Sequence, residues 1–185
     1  MTALPSLSRG ASPRPMPITR EMFATMEQQG CFVGKRVQLI YGEIIEMNAM
    51  GPRHWNAIRY LNRHLTAALP AHDVLVQLSV DASEYSQPEP DIMIIHRSTP
   101  GPVTTAPLVL EVSDSTLKYD LTKKAQLYAE TKVPEYWVID LQNRATHVHL
   151  LPKRGKYTKL RRVQWTTTLN SISIPELSVK LSEVL

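Results

Sequence analysis

Asp91, Glu111 and Lys124 are the residues of this 185-residue chain whose types and spacing suggest chemistry. Asp91 opens the apolar run "DIMII". Glu111 interrupts "LVLEVSDST", which otherwise reads as a strand buried on both faces. A buried carboxylate without a partner is destabilising by several kcal/mol, so something must neutralise or use it. Between the two runs lies the turn-rich "HRSTPGPVTTAP", centred near Gly101. Paired as a hairpin about that centre, the strands set Asp91 opposite Glu111, with Cβ atoms roughly 4.5–5.5 Å apart. Two carboxylates that close repel unless one is protonated or a cation lies between them. A hard divalent ion relieves the conflict, and Mg²⁺ commonly takes one or two carboxylates plus substrate phosphate. In the structural alternative, Asp91 merely ends a turn after Pro90 and Glu111 pairs with a core Lys or Arg. A register slip that moved either side chain to the other face would end the metal argument.

The following segment, "LTKKAQLYAETK", has helical spacing. At about 100° per residue, Leu121, Ala125 and Tyr128 form its buried stripe. Lys124 lies on the flank of that stripe and Lys123 on the far side. Lys124 is therefore the lysine that can reach the sheet carrying Glu111. The alternative is a snorkelling side chain whose ammonium stays in water.

Positioning these groups requires a scaffold, and its elements are legible. "TREMFATMEQQG" reads as a short helix with Thr19 as N-cap and Gly30 as its stop. "RVQLIYGEIIEM" reads as two strands around a turn at Tyr41-Gly42. "HWNAIRYLNRHLTAAL" places Ile58, Leu61, Leu65 and Ala68 at helical spacing. "DVLVQLSV", "DIMII" and "LVLEV" read as strands, with Asp120 as the cap of the next helix. "EYWVID" is an apolar run of strand length that suits a sheet covered on both faces. "THVHLL" and "KYTKLRRV" make a closing hairpin, and "SISIPELSVKLSEVL" a short strand and helix. This order predicts an α/β (α+β) fold, a mixed sheet flanked by helices with a C-terminal β-hairpin.

Bulk properties bound the function. The length fits one domain, with residues 1–16 as a flexible leader lacking the apolar core of a secretory signal. No apolar stretch approaches the ~20 residues needed to span a bilayer, so no membrane role is expected. One cysteine, Cys31, forbids an intrachain disulfide and suits a reducing cytoplasm. The net charge of +4 is compatible with a polyanionic partner.

The segments "PEPDIMII" and "LVLEVSDSTLKYDLTKKAQLYAETKVPEYWVID" together resemble the Uma2 family, also called the DUF820 "putative restriction endonuclease" family, within the PD-(D/E)XK nuclease superfamily. "VQLIYGEIIEMNAMGPRHWNAIRYLNRHL" is similar to its "ELIDGE…H" region, and the C-terminal segment to its usual ending. The resemblance spans roughly residues 17 to 185. It implies a restriction-endonuclease-like core, metal-dependent hydrolysis of DNA, and Mg²⁺ or Mn²⁺ as cofactor. Asp91 then takes the place of the motif's Asp and Glu111 that of its (D/E). The superfamily's lysine two residues on is replaced by Ser113. The pattern "YDxxxKxxxY" appears as Tyr119, Asp120, Lys124 and Tyr128, so Lys124 would supply the missing charge. The family's "ELIDGE" reads "QLIYGE" here, with Gln38 where a Glu is usual. Glu43 remains as a possible third metal ligand.

His54, matching the family's His, either approaches the site or makes a structural hydrogen bond. His147 and His149 alternate along a strand and, lacking a clear third ligand, fit a solvated face better than a metal site. Tyr128 reads as core packing. Lys153, Arg154, Lys156, Lys159, Arg161 and Arg162 near the closing hairpin are the candidates for DNA-backbone contact. The class implies a cytoplasmic homodimer, since cutting a duplex suits two-fold symmetry. Two other functions compete. A catalytically degenerate nucleic-acid-binding or assembly module would follow from the loss at Gln38. A glycosidase would use the carboxylate pair, but 6% aromatic residues and an adjacent lysine argue against a sugar cleft.

Overall fold

The computed structural model describes residues 15–183 and Leu185. Of the leader read over residues 1–16, residues 1–14 lie outside the described residues. Six strands form the central sheet: β3 (His72–Val76), β4 (Ile92–His96), β5 (Leu108–Ser113), β6 (Glu135–Asp140), β7 (Ala145–Lys153) and β8 (Lys156–Gln164). They lie side by side in chain order. All neighbours are antiparallel except β5 and β6, which run parallel. The helical segment between β5 and β6 is the crossover that a parallel pair needs. As expected for strands covered on both sides, every residue of β5 and β6 is buried.

One face of the sheet is covered by α2 (Pro52–Ala68), whose Ala57, Ile58, Leu61 and Leu65 pack on Ile92, Ile94, Leu108 and Leu110. Ala68 is exposed, and Leu69 at the helix end takes the buried place that was expected of it. The short pair β9 (Leu169–Asn170) and β10 (Ser178–Val179) closes the same core. The expected C-terminal helix is only one 3₁₀ turn, Leu181–Glu183.

The other face is covered by α3 (Leu117–Tyr119), a π-helical turn (Asp120–Lys124) and α4 (Ala125–Glu130), which run on as one rod. Ala125 and Tyr128 pack there on Met93, Val109 and Val138. The rod starts earlier than expected, so Asp120 lies inside it and is not its cap.

Two further elements frame the site. α1 (Arg20–Gln28) is capped by Thr19, whose side chain accepts from the Met22 N–H at 3.2 Å. β1 (Val37–Ile40) and β2 (Glu43–Glu46) form the expected hairpin. Its turn residues Tyr41 and Gly42 have φ of 52° and 77°, the left-handed pair of a tight hairpin turn. A Cβ at Gly42 would come within 2.5 Å of Pro17, so glycine is required there for space as well. β3 is shorter than expected, because Gln77 turns left-handed (φ 50°) and ends the strand.

Candidate active site

The β4–β5 ladder runs through Ile94↔Leu108, Met93↔Val109 and Ile92↔Leu110. One step further along this register, Asp91 stands opposite Glu111, as symmetry about Gly101 required. Met93 and Val109 share the face under the α3–α4 rod, so by strand alternation Asp91 and Glu111 share it too. Both are buried.

Lys124 approaches from the rod, with its Nζ 2.8 Å from Glu111 Oε1. The Tyr128 hydroxyl, one turn on, donates to the same oxygen at 2.8 Å. Lys123 is exposed and lies over the Tyr41 ring, 5.7 Å from its centroid. Helical phase alone leaves Lys124 on a flank, yet it is only 2 % exposed. The π turn accounts for the difference. The Ala125 N–H reaches back five residues to Asp120 O, and the Tyr136 hydroxyl donates to that oxygen at 3.0 Å. The widened turn puts Asp120 and Lys124 together on the inner side.

From the opposite side of the sheet, α2 contributes His54 in its first turn. Its Nε2 lies 3.0 Å from Asp91 Oδ2, an oxygen that also accepts from the Val112 N–H at 2.8 Å. Asp120 is the residue that sequence reasoning missed, having read it as a cap. It is buried, accepts from the Thr116 hydroxyl at 2.6 Å, and lines the same space as the other acids. The signal was its place in "YDxxxKxxxY", four residues before Lys124.

These groups line a cleft of about 220 Å³ bounded by the Ile45–Gly51 segment, the start of α2 and the β5–α3 connection. Of the charged groups that line it, three carboxyls (Asp91, Glu111 and Asp120) and one ammonium (Lys124) are buried. Burial pushes the Glu111 carboxyl up to about 8; Lys124 pulls it down, while Asp91 and Asp120 add repulsion. Burial likewise raises Asp120, against the pull of Lys124. For Lys124, burial opposes the charge, but Glu111, Asp120 and Asp91 outweigh it and hold the ammonium above its ordinary range. For Asp91, burial is overcome by the His54 hydrogen bond and charge, so its carboxyl is held low. For His54, burial opposes the charge, but the Asp91 hydrogen bond and charge outweigh it and raise the imidazole. The site thus carries more acid than its one lysine and one histidine balance.

Each of the two opposed carboxyl groups keeps one oxygen unspent. Asp91 spends Oδ2 and Glu111 spends Oε1 on protein donors; Oδ1 and Oε2 have no hydrogen-bond partner among the described residues. Oxygen-only, carboxylate-rich donors fit Mg²⁺ or Mn²⁺ and do not fit a soft metal. Among the described residues, no group of three or more His, Cys, Asp and Glu is gathered closely enough to cage a metal by itself. Two carboxylates with water and substrate oxygens are the set on offer.

Several sequence candidates lie elsewhere. Glu43 is exposed at the β1–β2 turn and does not line the cleft. Gln38 is buried but points into the scaffold: it donates to Met47 Sδ at 2.7 Å and accepts from the Glu89 N–H at 3.3 Å. His149 is not on a solvated face. It packs against Tyr136 and Tyr157, with ring centroids 5.4 and 5.5 Å apart, and burial lowers its pKa. His147 is half-buried, 3.5 Å from Asp140. Lys153, Arg154, Lys156, Lys159, Arg161 and Arg162 are all exposed on the β7–β8 hairpin, and none lines the cleft.

Comparison with known proteins bears on this arrangement. Among curated proteins none matches the chain. A solved structure from Anabaena variabilis, described as "a putative nuclease belonging to DUF820", superposes with a TM-score of 0.70 at 15% identity, covering 91% of this chain and 97% of that one. At that identity the likeness is one of fold. The Uma2 family model, described as "putative restriction endonuclease", matches residues 21–182. That span holds every strand of the sheet, the α3–α4 rod and all the cleft carboxylates. On this match, the chain belongs to the Uma2 family.

Proposed function

We propose that this protein is an endonuclease that hydrolyses DNA phosphodiester bonds with Mg²⁺ or Mn²⁺, on a core of the PD-(D/E)XK type extending over residues 17–185. The observation that carries the reading is the convergence of Asp91, Glu111 and Lys124 in one cleft, with an unused oxygen on each carboxylate. Asp91 and Glu111 would hold the metal, which when bound polarises a phosphoryl oxygen and acidifies water. Lys124 keeps its proton and directs an ammonium into the cleft, where it orients a water molecule or offsets charge growing on the phosphoryl group. Tyr128 fixes the Glu111 carboxylate by donating to Oε1, and Oε2 would be the oxygen left for a metal. His54 fixes Asp91 in the same manner from α2. Glu43 is outside this ligand set. The exposed hairpin cations from Lys153 to Arg162 are available for backbone phosphates, and a cytoplasmic homodimer would let two clefts address both strands.

The test is cleavage of supercoiled plasmid DNA with Mg²⁺ or Mn²⁺ by the wild type, Glu111→Ala and Lys124→Ala. The expected result is nicking or linearisation by the wild type alone. Equal activity in all three proteins would remove Glu111 and Lys124 from the chemistry and count against the site.

A further inference from the structure

The outward face of α2 combines positive charge with aromatic rings. The helix has 17 residues and no Asp or Glu. Arg59 lies over both the Trp55 ring (4.8 Å to its centroid) and the Tyr60 ring (4.9 Å), and Arg63 over the same Tyr60 (5.6 Å). Trp55 is half exposed, though it is the largest side chain type and could have been buried. Among the described residues, Arg59 and Arg63 have no carboxylate within salt-bridge distance, whereas Arg20, Arg36, Arg53 and Arg97 each do.

The face is joined to the cleft. His54 precedes Trp55 on the helix, and Arg53 bridges to Asp114, a residue of the cleft wall, at 3.4 Å. Beside Arg53 and Tyr60 runs a second groove of about 260 Å³, lined also by Arg144 and Trp165. There too a guanidinium stacks on an indole, at 5.6 Å. Arg59 spends one donor on the Tyr60 hydroxyl, at 3.2 Å from Nη2, and guanidinium groups held on aromatic faces in this way lose little freedom on meeting a phosphate with their remaining donors.

We propose that this face, centred on Arg59 and Arg63, is the track for the DNA backbone flanking the scissile phosphate. It rests on the nuclease reading and gives the cleft its approach. From Arg53 to Arg63 the helix rises ~15 Å, about four nucleotides at the per-strand rise of 3.4 Å. Charge complementarity and continuity with the cleft favour DNA over an anionic membrane. The helix buries its aliphatic side in the core, and the aromatic rings on its outer face, Trp55 and Tyr60, lie under guanidinium groups and present charge to the outside.

The test is fluorescence anisotropy with a labelled DNA duplex in EDTA, so that no cleavage intervenes. It compares wild type, Arg59→Gln/Arg63→Gln, Arg59→Lys/Arg63→Lys and the hairpin pair Arg161→Gln/Arg162→Gln. With a slope of about 0.9 per phosphate neutralised, the glutamine pair on α2 should flatten the dependence of log K on log salt by about 2. It should also weaken binding roughly tenfold or more at 0.1 M salt, while the lysine pair keeps the wild-type slope. An unchanged slope in the α2 glutamine pair would overturn the proposal, as would a loss confined to the hairpin pair. Loss of co-sedimentation with phosphatidylserine vesicles, with DNA binding intact, would overturn it in favour of a membrane. Because no metal is present, a failure of the catalytic reading would show only in the plasmid assay.

Discussion

Replacing Glu111 by Gln isolates what the surplus of acid does to the fold. With an ordinary value of 4.5 and a folded value of about 8, the Glu111 carboxyl keeps its proton in the folded protein long after the unfolded chain has lost it. A raised group stabilises the fold at low pH. That contribution is complete below pH 4.5 and disappears as pH climbs through 8. At pH 6 it is still about 3 kcal/mol, and by pH 9 it is about zero, at 1.36 kcal/mol per pH unit. For a domain of this size about 3 kcal/mol corresponds to roughly 6–12 °C in Tm. In the wild type Lys124 is held above its ordinary range and does not titrate in this window, and Asp120 and Asp91 still support its charge in the variant; His54, raised against burial mainly by Asp91, titrates in both proteins. The amide can keep its oxygen at the Oε1 position, facing Lys124 and Tyr128, and turn its NH₂ to the cleft. Thermal melts in EDTA at half-unit steps from pH 6 to 9 should therefore show the wild type losing that much more than Glu111→Gln. Adding Mn²⁺ at pH 9 should raise the wild-type Tm and leave the variant unmoved, because the metal competes with the proton for the same carboxylate. Parallel pH profiles would refute the reasoning about burial. A variant that still responds to Mn²⁺ would refute the ligand role.

Lys124→Met removes the one ammonium among three acids and should abolish cleavage; its melt should fall by about 3–5 kcal/mol at pH 8 and by less at pH 6, where the acids can take up protons. Asp91→Asn should return the His54 pKa toward or below 6.5, followed by histidine NMR titration; an unchanged His54 would dissolve the pair. The Asp91 carboxyl is held low, so its contribution to stability is present above its ordinary value of 3.8 and is lost as pH falls through the folded value; an acid melt of Asp91→Asn should miss that step. Tyr128→Phe deletes one hydrogen bond to Glu111 and should lower stability by about 1–2 kcal/mol, with kcat reduced more than DNA affinity.

The opposition of Asp91 and Glu111 was readable because two strands of period two around one turn leave few registers. An acid inside an apolar run announces itself in any of them. Lys124 was readable only in part. A uniform 100° per residue brings it to a flank, and the extra turn width that buries it depends on Asp120 O being shared by Ala125 and Tyr136, a contact between segments 16 residues apart. Asp120 looked like a cap because its type favours caps; tertiary burial overrode that preference. His54 was ambiguous since its partner belongs to another element, across the end of the sheet. Glu43 and Gln38 fall outside the cleft lining for a related reason: a hairpin read in isolation does not say which of its sides meets the cleft.

The π-helical turn has a consequence for chain length. It contains about one residue more than an α-helical path between the same ends would use. Thr122 sits on its outer side, exposed, its hydroxyl tied only to Lys118 O within the same rod. Excising Thr122 should let the rod close up into an ordinary helix and withdraw the width that gathers Asp120 and Lys124 on the inner side, so that a deletion on the exposed face should disable the cleft without removing any residue that lines it.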